Sequence, residues 1–353
     1  MLSNKKSMLN NKKKLFLLML SCMLILFLGC IGGQQSVQTN QNESKTNRTI
    51  SPIIILEDRE MLITGENITQ TSNVTNFFNK TDLEYKYEPD KPLFIFFINT
   101  SFKDENSEAI LMKKGDADIL IDSGSAQTSV ELVNFLKDKG VDDIELLVST
   151  NAHKGHYGGM NAIFDNIEIE QFMWNNESVN NSEYISLLNK GKNKTKKIIE
   201  AEYLKHYCIN GICLQVLNPK NYSARSANVE ENGIILKATD RNFCLLIMGD
   251  SPHTMENILL NSGINLSCKA IQLPNYGIYS TTSRIVFFLQ MVAPEIGIIT
   301  GSYADPEYGR KITEEKLKMM KIAYYETFNT TKNTTNIVRI ISNGINYTIL
   351  NNN

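Results

Sequence analysis

Four histidines set the limits of metal and acid–base chemistry in this chain. Two of them, His153 and His156, lie in Leu146-Leu147-Val148-Ser149-Thr150-Asn151-Ala152-His153-Lys154-Gly155-His156-Tyr157-Gly158-Gly159. That is an apolar run which reads as a buried strand passing into a glycine-rich loop. Imidazole and carboxylate are zinc donors, and a catalytic zinc site typically keeps three protein ligands. Asp250 ends a second apolar run, Leu245-Leu246-Ile247-Met248-Gly249, and is a candidate third donor. Each of the three also has a structural reading. A lone histidine is more often a core or surface residue than a ligand, and Ser251-Pro252 after Asp250 reads as an N-cap and first-turn proline. His206 reads as structural. His253, three residues past Asp250, is a non-standard ligand at best. No catalytic side chain is assigned.

The elements that must position these groups follow from the apolar pattern. Residues 93–98, 108–113 and 118–121 read as strands. Residues 127–139 read as a helix, with a capping-box spacing at Thr128 and Glu131 and a stop at Gly140. Residues 144–149 read as a buried strand. Further strands fall near 213–217, 233–238, 243–248 and 270–273, with a helix from Pro252, a helix at 314–323 and closing strands. Many short strands with interspersed helices imply an α/β sandwich.

The composition agrees with a folded domain: 353 residues, 42% hydrophobic and 21% charged. It excludes wholesale disorder and fibrous repeats. Residues 1–14 carry Lys5, Lys6, Lys12, Lys13 and Lys14 with no acid, and residues 15–33 are uncharged and largely apolar. This is the order of an export signal. Its end, Phe27-Leu28-Gly29-Cys30, resembles a lipoprotein lipobox in which Cys30 is lipidated, with Phe27 standing where an aliphatic residue is usual. An uncleaved signal anchor is the alternative, and either tethers the remainder to the extracytoplasmic face of the cell membrane. A domain order follows: 1–29 signal, 30–50 polar stalk, 51–91 unassigned extension, 92–353 main domain. Loss of the signal removes five Lys, leaving 31 basic against 38 acidic side chains and turning the net charge from -2 to -7. No basic stripe interleaved with aromatics is present, so nucleic acid is disfavoured as a partner.

Asparagine and cysteine point to the same compartment. Asn-X-Ser/Thr triplets begin at Asn42, Asn47, Asn67, Asn73, Asn79, Asn99, Asn176, Asn180, Asn193, Asn221, Asn265, Asn329, Asn333 and Asn346. Chance pairing of 40 Asn with 49 Ser and Thr would give about 5 or 6, so the 14 found read as N-glycosylation acceptors. The pattern looks like that of surface proteins of methanogenic archaea. In Cys208-Ile209-Asn210-Gly211-Ile212-Cys213, Asn-Gly signals a two-residue hairpin turn. The cysteines then face each other in a non-hydrogen-bonded pair, close enough for a disulfide. A Cys-x4-Cys metal clip is the weaker reading. Cys244 and Cys268 are candidates for a second bridge.

The ordered landmarks resemble the metallo-β-lactamase superfamily, most closely the extracellular hydrolase-like domain of DNA-uptake competence proteins, over roughly residues 92–350. There the strand IDYLVITHPHADHIGG carries the metal motif matched here by Leu146 to Gly159. Ile119-Leu120-Ile121-Asp122-Ser123-Gly124 resembles the family's LIDGG turn, and Asn232-Gly233-Ile234-Ile235-Leu236 its Asn-x-Ser-x-x-Leu strand. Leu245 to Asp250 resembles LLxTGD, Leu273-Pro274-Asn275-Tyr276-Gly277 resembles VPHHG, and Tyr308-Gly309 is similar to YGHP. The resemblance implies an αββα sandwich of two packed mixed sheets with helices on the outer faces, and a dinuclear metal-dependent hydrolase.

The departures fall on the ligands. Asn151 stands for the first His of the motif, Gly155 for its Asp, and Asn275 for the late His. The family's DVGQGD opening is replaced by Ile98-Asn99-Thr100-Ser101-Phe102-Lys103-Asp104. His153, His156 and Asp250 remain as donors, while Asn151 and Asn275 offer only neutral amide oxygens. In the family geometry His153 and His156 serve different metals. Asp122 is expected to bond backbone groups in its turn. The cofactor set reduces to none, or to one zinc or manganese. Two functions stay open: a degenerate member acting in binding or as a surface component, which the departures favour, and a mononuclear metal-dependent hydrolase of phosphoesters or nucleic acids using His153, His156 and Asp250.

Overall fold

The structure is a computed structural model that describes residues 55–56, 59–60, 88–103, 105–220, 226, 228–278, 284–301, 309–329 and 334–351. The chain divides into two units, Met1–Phe77 and Phe78–Asn353. In the first, Ile55–Leu56 pairs antiparallel with Arg59–Glu60. The export signal, Cys30, the stalk, and sequons Asn42, Asn47, Asn67, Asn73, Asn79, Asn221 and Asn333 lie outside the described residues, as do Tyr308 and the Asn329 side chain. Among the described residues no helix is long and apolar enough to cross a membrane.

The second unit holds two mixed sheets. The strands of the first are β1 Leu93–Asn99, β2 Glu108–Lys114, β3 Ala117–Ile121, β4 Asp143–Ser149, β5 Glu168–Trp174 and β6 Thr195–Glu200. The second sheet takes β7 His206–Ile209, β8 Ile212–Asn218, β9 Ile235–Asp240, β10 Phe243–Ile247, β11 Ala270–Gln272, β12 Ile296–Ile299 and β13 Ala323–Glu326. The closing hairpin, β14 Ile337–Ser342 and β15 Tyr347–Asn351, returns to the first. The order is β15-β14-β1-β2-β3-β4-β5-β6 in one sheet and β13-β12-β11-β10-β9-β8-β7 in the other. Strands β3 to β6 run parallel, as do β10 to β13, and the remaining pairs are antiparallel.

Alternation along the strands builds four layers. Ile119, Leu146 and Val148 of the first sheet pack between the sheets with Leu214, Leu236, Leu245 and Ile298 of the second. The opposite face of the first sheet, with Leu120 and Leu147, is covered by helices α1 Ser129–Asp138, the one-turn α2 Lys154–Tyr157, α3 Met160–Asn166 and α4 Ser182–Lys194. The outer face of the second sheet, with Leu246 and Ile271, is covered by α5 His253–Leu260, α6 Arg284–Val292 and α7 Gly309–Met319. The two-sheet sandwich with helices outside is therefore the fold. The parallel strands β4 and β10 are apolar on both faces because both faces are covered.

Several local expectations change. Thr128 does not cap its helix through its side chain: its Oγ1 donates to the Thr100 carbonyl at 2.7 Å instead. That bond ties α1 to the end of β1. Pro252, rather than Ser251, is the N-cap of α5, and Ser251 Oγ turns back to the Met248 carbonyl. The last helix starts at Gly309 and stops at Met319, because Ala323 already opens a strand. Helices α4 and α6 and strand β5 carry no local signal that the sequence reading used.

The hairpin expectation holds. Cys208 pairs with Cys213 in register and they form a disulfide with Cα atoms 4.0 Å apart. Asn210 and Gly211 both have positive φ, as a type I′ turn requires. The second bridge, Cys244–Cys268, also forms. The sheets are pinned together by Lys114 Nζ and Asp240 Oδ1, 2.7 Å apart and both buried. Removing one partner of such a pair strands the other charge, at a cost of about 3–5 kcal/mol. Among the described sequons, Asn180, Asn193, Asn265 and Asn346 are exposed, whereas Asn99 and Asn176 are half-buried. Asn99 Nδ2 already donates to the Thr327 carbonyl.

At the end of the first sheet remote from His156, Glu145 Oε2 accepts the Asp118 amide at 2.6 Å. Burial pushes the Glu145 carboxyl up to about 8. A carboxyl raised on folding stabilises the fold in its protonated form, and that stability is lost as pH rises from the ordinary carboxyl range through about 8. Thermal denaturation is therefore expected to show this domain losing stability between pH 5 and 8. Glu145→Gln, which keeps the acceptor, is expected to flatten that slope. An unchanged slope in the variant would refute the assignment.

Candidate functional site

The site forms where the ends of β3, β4 and β10 meet. Asp122 follows β3 and sits at φ 59°, a left-handed conformation that a short polar residue tolerates. Its backbone N–H donates to the Val148 carbonyl of β4. Its carboxylate then reaches across to the loop after β4. Oδ1 accepts the Thr150 amide at 2.8 Å, and Oδ2 accepts the Thr150 hydroxyl at 2.6 Å. The same Oδ2 lies 2.7 Å from His156 Nδ1. The two loops are laced further: Ser123 N–H donates to the His156 carbonyl and Gly159 N–H to that of Gly124.

This contact demands glycine. A Cβ on Gly159 would lie 2.3 Å from the Ser123 carbonyl oxygen. Gly155 is held the same way: a Cβ there would lie 2.4 Å from the Asn106 carbonyl oxygen. The segment between β1 and β2 thus fills the space beside Gly155.

His156 is fully buried and engaged at both nitrogens. Nε2 lies 3.0 Å from Tyr276 Oη and 3.2 Å from Asp250 Oδ2. Burial alone would lower the imidazole, but the Asp250 and Asp122 carboxylates outweigh it and hold His156 well above its ordinary value. In return, burial would raise Asp250, but the His156 charge keeps that carboxyl below the ordinary range. Burial, with the Asp250 and Glu108 charges, raises Tyr276 well above an ordinary phenol.

Asn151 takes a supporting position. Its Oδ1 accepts the His153 amide at 2.8 Å, which turns its amide nitrogen onto Asp250 Oδ1. An amide donor therefore faces the Asp250 carboxylate. Asn275 turns into its own loop, where Nδ2 approaches the Ile278 carbonyl at 3.4 Å. The neighbour that enters the site is Tyr276. Asn232 lies elsewhere, donating to Glu177 Oε1 and to the Ser226 carbonyl. His153 is exposed, its ring 6.1 Å from that of His156. Half-buried Glu230 is electrostatically coupled to it and to Asp250, and burial raises its carboxyl. His206 and His253 are absent from the clusters of potential metal donors among the described residues.

Four contributors were not singled out in the sequence, and two of them, Glu108 and Gln272, had no motif to betray them. Glu108 opens β2 and is fully buried, which pushes its carboxyl up to about 7. Gln272 holds the Gly249 turn, its Oε1 accepting the Met248 and Gly249 amides and its Nε2 facing Glu108. Thr150 positions Asp122. Tyr276 stood inside the Leu273 to Gly277 motif, one residue from the position singled out.

Two sets of donors come together within 4.8 Å: His153, His156 and Asp250, and Glu108, Asp122 and His156. A dinuclear ion pair does not fit these residues. No carboxylate stands at Gly155, the space beside it is filled by the Asn106 backbone, and Asn151 presents its amide hydrogens to Asp250. A single ion fits. His156 is oriented through Nδ1 by a carboxylate, the usual support of a metal-ligating imidazole, and Asp250 keeps Oδ2 turned towards Nε2.

No protein-family model and no curated protein sequence matches the chain. Solved structures do. The metallo-β-lactamase fold protein YhfI from Bacillus subtilis is 10% identical at TM-score 0.47, over 67% of this chain and 96% of its own. CmlA, a diiron β-hydroxylase from Streptomyces venezuelae, is 10% identical at TM-score 0.45, over 67% of this chain and 53% of its own. The FEZ-1 metallo-β-lactamase from Legionella gormanii is 17% identical at TM-score 0.32, over 48% of this chain and 68% of its own. These are likenesses in the arrangement of sheets and helices.

Gly155→Ala is expected to cost about 1–3 kcal/mol through overpacking against Asn106. That would lower the melting temperature by roughly 2–4 °C for each kcal/mol in a domain of this size. A melting temperature equal to wild type would show that the Asn106 segment does not close on this loop.

Proposed function

We propose that this chain is a membrane-tethered extracytoplasmic protein of the metallo-β-lactamase superfamily that does not carry dinuclear hydrolase chemistry and acts in binding or as a surface component. The observation that carries the reading is the filling of the Gly155 position by the Asn106 backbone, which leaves no room for the carboxylate of a second metal. The tether is supported by the Lys-rich start, the uncharged run at 15–33 and Cys30, and the compartment by sequons and two disulfides. The mature charge of -7 argues against nucleic acid as partner.

A second reading, a mononuclear metal-dependent hydrolase, is favoured by the clustering of His153, His156 and Asp250. When bound, the metal would supply Lewis-acid chemistry. The protein groups that would serve it are Asp122, which orients His156, and Asn151, which fixes Asp250.

The two are separated by metal analysis and hydrolysis of bis(p-nitrophenyl) phosphate by the purified full chain in detergent, supplied with zinc or manganese at neutral pH. Fewer than two ions per chain and no turnover above the protein-free rate are expected. Turnover with one ion, lost in His153→Ala, would establish the hydrolase instead. Two ions per chain would overturn the non-dinuclear reading altogether.

A further inference from the structure

We infer that His156 Nε2, Asp250 Oδ2 and Tyr276 Oη together form the seat of a single hard cation of the ferric type, with Tyr276 as its phenolate ligand. The inference rests on the non-dinuclear reading and names the ligand class that such a site would take.

The geometry comes first. Nε2 is 3.0 Å from Oη and 3.2 Å from Oδ2. Donors bound at about 2.0–2.2 Å on adjacent positions of one ion are themselves about 3 Å apart. Both spacings from Nε2 are therefore those of ligands sharing a metal as well as those of a hydrogen-bonded cluster. Both supporting groups hold the donors to this arrangement. Asp122 fixes the imidazole through Nδ1, and Asn151 occupies Oδ1 of Asp250, leaving Oδ2 turned inward. Tyr276 is held at φ 53° between Asn275 at φ 47° and Gly277, a left-handed run in which the Tyr276 ring, not the Asn275 amide, reaches His156. Non-glycine residues in this region cost energy and persist where the surroundings impose them.

The donor chemistry selects the ion. One carboxylate, one phenolate and one imidazole make an oxygen-rich, doubly anionic set with no thiolate, which suits a hard, highly charged cation better than a soft one. The charge left over is met by Asp122 and Glu108, whose carboxylate oxygens lie within 4.8 Å of the His156 ring nitrogen that completes their cluster. Binding displaces the Tyr276 phenolic proton, and any proton on Nε2, to solvent. No electron transfer is involved. His153 is exposed and is not one of the three ligands.

Titration of the purified full chain in detergent with ferric nitrilotriacetate tests this. A phenolate-to-iron charge-transfer band in the visible is expected, saturating at one iron per chain. Tyr276→Phe should abolish it and His153→Ala should leave it intact. Asp250→Asn, isosteric with the wild type, should loosen iron at least tenfold. Melting curves of the apo variants establish that each is folded, and Asp250→Asn decides the matter if Tyr276→Phe is not. Absence of the band in the wild type, or its survival in Tyr276→Phe, would show a hydrogen-bonded cluster only and overturn the proposal, leaving the non-dinuclear reading standing. Two zinc ions per chain would overturn that reading itself.

Discussion

The Asp122 carboxylate is the constraint on which the site depends. It stands at the end of β3, accepts both the amide and the hydroxyl of Thr150, and holds His156 by Nδ1. Three bonds to one buried carboxylate fix where the loop after β4 runs. Everything else follows from that position: the approach of Gly159 to Ser123, the seating of His156 between Asp122 and Asp250, and the closeness of Tyr276 from the second sheet. A buried carboxylate is tolerated because each of its oxygens is satisfied, one by a backbone amide and one by a hydroxyl and an imidazole.

The loop is shaped by the same requirement from the other side. Gly155 and Gly159 lie where a neighbouring carbonyl is already within contact of any Cβ, so these glycines serve approach rather than flexibility. The consequence is chemical. The space beside Gly155 is taken by backbone, and the buried groups that meet beyond it are His156, Asp250 and Tyr276. Asn151 completes the arrangement, since its amide nitrogen can face Asp250 only because its oxygen is taken by the His153 amide.

Much of the architecture was legible in the sequence. Apolar runs at 93–98, 144–149 and 243–248 marked strands, the second of them as buried, and Asn210-Gly211 fixed the register that joins Cys208 to Cys213. Helices α4 and α6 were not read from the sequence: the buried stripe of α4, Tyr184, Leu187, Leu188 and Gly191, ends in a glycine among lysines and asparagines, and α6 is apolar almost throughout and shows no polar face. The Thr128 capping box failed because Thr100, remote in sequence, offered its hydroxyl a carbonyl. In the site, His153, His156 and Asp250 were legible as candidate donors, and they come together. Glu108 and Gln272 were not, since a single acid at the start of a strand or a single amide at the end of one carries no signal until the sheets pack. Tyr276 was hidden by register: the motif pointed to Asn275, and only the left-handed turn at Pro274–Gly277 decides which side chain enters.

The central claim is that Asp122 and His156 act as one unit. A double-mutant cycle on global stability, combining Asp122→Asn with His156→Gln, measures it most directly. A coupling of about 1.5–3 kcal/mol is expected for a buried charge-assisted hydrogen bond. Effects that add to within about 0.3–0.5 kcal/mol would contradict it, because independent residues add in that way.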